Sequence, residues 1–200
     1  MVKILNTLLV SLKVLLFNGL FAFIIISLLS FFNFSFAQED KNFQLQVLLT
    51  KKKAFDIAFP GADEIKKDRV WLTKEQIISI EKLNMYKIRE KRFTFYTGIK
   101  NGRSMGSMLI DNIIGKSYPI TFMTVFNTDG TVRDVEIMVY REPQGWEVKY
   151  KSFRSQFFGK DSSSDRRKVL SISGATLSVN AIKSGVYKAM AAYKAIYLNK

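Results

Sequence analysis

The sequence predicts an α+β domain, a twisted antiparallel sheet flanked by helices, preceded by a signal peptide or N-terminal anchor. Three observations predict it. The first 37 residues are apolar with two lysines only. Residues 91–140 alternate in short β-prone runs separated by turn residues. A long stretch with helical spacing closes the chain from Val179 to Leu198.

Lys3 and Lys13 are the only charges before Glu39. From Val14 to Ala37 the chain is uncharged and mostly apolar, and Ser35-Phe36-Ala37 supplies small residues where a signal peptidase reads. Cleavage after Ala37 is expected. The rival reading is an uncleaved anchor, since about 20 apolar residues span a bilayer. Both readings place the remainder outside the cytoplasm, in the periplasm or cell envelope. Residues 38–200 suffice for one domain with a core.

There is no cysteine and no histidine. Disulfides, thiolate-held iron–sulfur clusters, ordinary haem ligation and a Ser-His-Asp triad are therefore excluded. Redox chemistry would need an organic cofactor. The net charge of +14 suits a membrane surface or an acidic partner. The positives are dispersed, which reads as a solvated basic surface and not as a nucleic-acid face.

Asn42 to Phe59 reads as a helical lead-in that ends at Pro60-Gly61. Thr73-Lys74-Glu75-Gln76 matches a capping box, opening a helix to about Leu83. Residues 38–90 are thus expected to be an N-terminal helical part, and residues 91–200 the main domain. Strands are expected at Phe93–Tyr96, Met105–Ile110, Ile120–Phe126 (half-buried) and Thr131–Tyr140, with a hairpin turn at Asn127–Gly130. Pro143 and Gly145 make a rigid loop. Trp146–Tyr150 reads as a short extended piece, and Asp161–Arg167 as a polar surface loop.

The closing helix presents Ile182, Val186, Ala189, Met190, Tyr193 and Tyr197 at helical spacing, with Lys183, Lys188, Lys194 and Lys200 elsewhere. Ser178 reads as its N-cap. Ser173-Gly174-Ala175-Thr176 is then a small-residue loop delivered to a helix N-terminus. Free N–H groups and the helix dipole favour an anion there, a phosphate above all. The basic run Arg166–Lys168 reads as solvated surface, with complementing that phosphate as the alternative.

Ser-Gly-Ala-Thr followed by Leu177 and Ser178 resembles the flavin-attachment motif of the FMN-binding domain family. That family includes subunits of sodium-pumping and ferredoxin-linked membrane redox complexes, and stand-alone exported proteins. Further segments match in order: Gly115-Lys116-Ser117-Tyr118-Pro119-Ile120, Tyr140-Arg141-Glu142-Pro143, and Gln156-Phe157 with Gly159-Lys160. Leu170 stands where the family usually has an acid, three residues before Ser173.

The resemblance implies FMN as cofactor, esterified through its phosphate to Thr176 by a flavin transferase. It implies a cradle of Ser173, Gly174, Ala175, Leu177 and Ser178. Glu142 and Gly145 would border the ring, with Tyr140 nearby. Lys116 is placed beside the flavin, with a plain solvated lysine as the other reading. The function implied is electron carrying, with a membrane complex as one setting, and not a complete enzyme. The alternative is a flavin-free basic cell-surface binding module.

Overall fold

The computed structural model describes residues 45–199. The expected signal or anchor segment lies outside them. Among the described residues no helix is long and apolar enough to cross a membrane.

Six strands make one antiparallel sheet: β1 (Gln46–Val47), β2 (Glu64–Trp71), β3 (Arg92–Lys100), β4 (Arg103–Ile114), β5 (Pro119–Phe126) and β6 (Val132–Tyr140). Their order is β1-β6-β5-β4-β3-β2, so β2 to β6 form a meander and β1 adds to its far edge. The helices are α1 (Lys51–Ala58), α2 (Lys74–Asn84), the short α3 (Lys151–Arg154) and α4 (Thr176–Tyr193), which continues as a π-helical turn over Lys194–Leu198. The predicted α+β architecture holds.

The lead-in expected as a helix from Asn42 is strand β1 followed by α1, with 42–44 outside the described residues. Strand β2 was not expected. Its run Glu64-Ile65-Lys66-Lys67-Asp68-Arg69 looks like loop because it is charged and almost wholly exposed. It pairs in register with β3, from Glu64 opposite Ile99 to Trp71 opposite Arg92. A charged edge strand stops a sheet from recruiting further chains.

The expected half-burial of β5 is also corrected. Phe122 and Phe126 face one apolar cluster, Met123 and Val125 the other, so this central strand is covered on both sides. The first cluster lies under α4. A Cβ at Gly185 would meet Phe122 Cζ at 2.5 Å, so glycine is what lets α4 approach β5 this closely. Tyr193 stacks on Phe126 at 4.8 Å between centroids. The second cluster lies under α1, with Ala54, Ala58 and Phe59.

One lysine read as part of the helix's polar side is buried. Lys188 is ion-paired to Glu90 and, at 2.9 Å, to Asp111 Oδ2. Burial lowers the lysine's pKa, but Asp111 and Glu90 outweigh it, and the net shift is upward. The pair ties α4 to β4 and to the segment before β3.

Candidate functional site

The cleft at the start of α4 is built from three loops and one helix end. The β4–β5 loop supplies Lys116, the loop after β6 supplies Glu142 to Gly145, the loop before α4 supplies Gly174 and Ala175, and α4 itself supplies Thr176 to Ser178. Its volume is about 270 Å³.

Each loop is fixed by a neighbour. Glu142, 3% exposed, accepts hydrogen bonds at Oε1 from the backbone N–H groups of Ser117 (2.7 Å) and Tyr118 (2.8 Å). Its charge is thereby met by two dipoles, and the two loops are locked together. Arg141 reaches Pro119 O at 2.7 Å and reinforces the same junction. Tyr140 donates to Gln144 O at 2.5 Å and shares a 2.8 Å hydrogen bond with Ser178 Oγ. Burial pushes this phenol up to about 12, so it stays neutral and keeps its proton for Gln144 O, which leaves Ser178 Oγ as the donor to Tyr140. Gly145 sits at φ +80°, and a Cβ there would lie 2.4 Å from Ser178 Oγ. The turn therefore requires glycine for both its backbone and its contact.

The helix begins earlier than the sequence suggests. Its N-cap is Ala175, at φ −115° and ψ 19°, with no side-chain cap bond. Thr176 is the first helical residue. Ser178 lies inside the first turn, buried, with its hydroxyl committed to Tyr140. The sequence rule for caps misreads Ser178 because that hydroxyl's partner is remote in sequence.

The first N–H groups of α4 are consequently left without side-chain partners, beside a turn in which Ala175 N–H bonds Ile172 O at 3.1 Å. Thr176 is exposed, and its hydroxyl makes no hydrogen bond to the described residues. No acid lies in the first turn. Gly174, at φ +80°, has open space where a Cβ would be. Leu177 is 54% exposed on the rim.

The segments before the loop hold it in place. Gln156 Oε1 accepts from Leu170 N–H at 2.7 Å, and Lys183 Nζ donates to Val169 O at 2.9 Å. Gly159 N–H and Lys160 O pair with Val132 at the start of β6, both at 2.8 Å. Trp146–Lys149, expected as extended, is a 3₁₀ turn leading into α3.

Residues 115–191 match the family model of the FMN-binding domain. The match supports the FMN-binding domain family for this stretch. Its cofactor is FMN, which sets aside the flavin-free binding module. No curated protein matches the chain.

The FMN-binding domain thus brings Lys116, Glu142, Gly145, Gly174, Ala175, Thr176, Leu177 and Ser178 to one cleft. Two expected site residues stand apart from its wall. Tyr140 is fully buried beneath the loop, which its hydroxyl braces through Gln144 and Ser178. Ser173 is exposed and does not line the cleft. The basic run lies elsewhere too. Arg166 is stacked between Tyr86 and Tyr187, and Arg167 is paired to Asp165 at 3.1 Å. Pro143, read from the sequence as part of the loop beside the flavin, lines the cleft, whereas sequence reasoning missed Gln144 as a lining residue and Ser117 and Tyr118 as anchors of Glu142.

The residues present fit a phosphate-bearing cofactor. An uncapped helix N-terminus, an unhindered glycine, a free hydroxyl and a lysine across the cleft are what a phosphate monoester needs.

Proposed function

We propose that the protein is an exported electron carrier whose FMN is joined through its phosphate to Thr176. The observation that carries the reading is the uncapped start of α4 with the free Thr176 hydroxyl beside it. When bound, FMN supplies transfer of one or two electrons.

The chain's own groups do the holding. Thr176 offers the ester oxygen. The backbone N–H groups of the first turn and the helix dipole stabilise the phosphate charge. Lys116 adds a cation from the facing loop. Leu177 and Pro143 offer apolar surface to the ring, and Glu142 and Gly145 hold the loop that borders it. A tether suits a carrier outside the cytoplasm, because a linked cofactor stays at high local concentration, about millimolar for a short flexible link.

A flavin transferase would make the link, and a membrane electron-transfer complex is the redox partner that the family resemblance favours. Leu170 is 69% exposed and so presents an apolar side chain where such a transferase would meet the loop.

The test is the intact mass of protein co-produced with a flavin transferase in an exporting host. Wild-type protein should gain one FMN, and the flavin should survive acid precipitation. Thr176→Ala should fold and lose the covalent flavin. Ser173→Ala and Ser178→Ala should keep it. Covalent flavin on Thr176→Ala sinks the assignment, as does wild-type protein that never gains the mass.

A further inference from the structure

A second cleft runs along the outer face of α4, beyond the flavin loop. Asn180, Lys183, Ser184 and Tyr187 follow Thr176 at spacings that keep them on one side of the helix. The opposite walls are the end of α2 (Leu83 to Tyr86) and the loop 162–167. The volume is about 880 Å³, within the roughly 300–1,000 Å³ of small-molecule sites.

Three features of this cleft have no use in the flavin reading. First, Tyr187 is 4% exposed, yet its hydroxyl has no hydrogen-bond partner among the described residues. A buried donor left unpaired is destabilising, so an acceptor that enters the cleft and displaces the cover over this hydroxyl recovers that loss. Second, Arg166 and Lys183 meet no carboxylate among the described residues. Arg166 donates to Asn84 O (3.0 Å) and Asn84 Oδ1 (3.3 Å), and Lys183 to Val169 O (2.9 Å). These acceptors are neutral, so neither cation has an ion pair among the described residues, and Asp165 in the same wall is engaged by Arg167. Third, one side of the mouth, at Met85 and Tyr86, offers apolar surface. Arg166 lies 5.2 Å from the Tyr86 ring and 4.9 Å from the Tyr187 ring, while Tyr86 and Met85 are largely exposed. An αL residue at Met85, φ 62°, turns the chain so that Tyr86 covers the guanidinium.

We propose that this cleft is a separate binding site for a small aromatic carboxylate. The carboxylate accepts from the Tyr187 hydroxyl in the field of Arg166 and Lys183, and the ring lies on Met85 and Tyr86. The site does not depend on whether FMN is covalently attached.

The experiment is calorimetric titration of the purified protein, flavin-free and flavin-loaded, with 2-naphthoate. One equivalent should bind with equal affinity to both forms. The neutral 2-naphthamide and the non-aromatic cyclohexanecarboxylate should each bind about tenfold more weakly or worse. Tyr187→Phe keeps the ring that stacks on Arg166 and removes only the unpaired hydroxyl. Its stability should match or exceed wild type, and its affinity should fall about tenfold. Lys183→Gln should lose severalfold and serves as the second test of the charge. Absence of binding overturns the proposal, and so does a Tyr187→Phe affinity equal to wild type. Loss of 2-naphthoate binding on flavin loading also overturns it, since the flavin would then occupy this cleft itself.

Discussion

α2 and α4 begin in opposite ways. Thr73 precedes α2 at ψ 165°, accepts from Gln76 N–H at 3.2 Å, and receives the Gln76 side chain on its own N–H at 3.0 Å. That helix seals its own N-terminus. α1 does the same more simply, with Thr50 accepting from Lys53 N–H. α4 starts on Ala175 at ψ 19°, with no oxygen to offer. A cap is worth about 1 kcal/mol. Burying Val179, Ile182, Val186 and Met190 is worth roughly 1.5–3 kcal/mol each. α4 therefore tolerates an open end because its stability comes from its buried face. The open end is the one that lies at the cleft.

That contrast predicts that α4's start depends on remote contacts and α2's does not. The largest effect should come from Gly145→Val. It forces a β-branched residue to φ +80° and drives its Cβ into Ser178 Oγ and the Tyr140 hydroxyl. Strain and overpacking together should cost about 4 kcal/mol in urea denaturation of flavin-free protein. A loss under about 1 kcal/mol would mean that the loop moves independently of the helix.

Lys188→Met tests the buried face. It keeps the packing volume but leaves Glu90 and Asp111 without their cation, a loss of about 3 kcal/mol. The pH dependence carries a signature. The raised Lys188 pKa gives stability that is full below the unfolded value of 10.5 and fades as pH rises through the folded value. Burial pushes Glu90 up, but Lys188 pulls it further down, and the net shift is downward. Its contribution is full above the unfolded 4.5 and fades as pH falls through the folded value. Lys188→Met should therefore flatten both flanks of the stability–pH curve.

Thr73→Ala is the matched control at the other helix. It should cost about 1 kcal/mol and leave flavin loading unchanged. Reduced loading would mean that the two helix starts are coupled.

The same contrast explains what the sequence could reveal. The α2 cap was legible because all its partners lie within four residues. The strands Phe93–Tyr96 and Ile120–Phe126 were legible from composition and alternation. Strand β2 was not, because an edge strand with both faces in water carries no apolar period. In the cleft, the motif residues Gly174 to Ser178 and the loop at Glu142 were legible as types. Their roles were not. Ser178 read as a cap and is a strut, since Tyr140 lies 38 residues away. Tyr140 read as lying near the ring, and nothing local shows that its strand position points beneath the loop.

Ala175→Ser gives the smallest expected effect and the finest distinction. If the open end were only a missing oxygen, serine would supply it and stabilise the flavin-free protein by about 1 kcal/mol. The backbone argues otherwise. Thr50 and Thr73 cap with ψ 157° and 165°, where a side-chain oxygen faces the third N–H. Ala175 has ψ 19° and is buried, so the added hydroxyl would not meet that geometry. The change in unfolding free energy should stay within about 0.5 kcal/mol, and flavin loading should persist. A gain near 1 kcal/mol accompanied by weaker loading would show that the N–H groups are open only for want of an oxygen, and that a cap competes with the phosphate for them. No gain and intact loading would show that the loop's backbone shape itself keeps the helix start open.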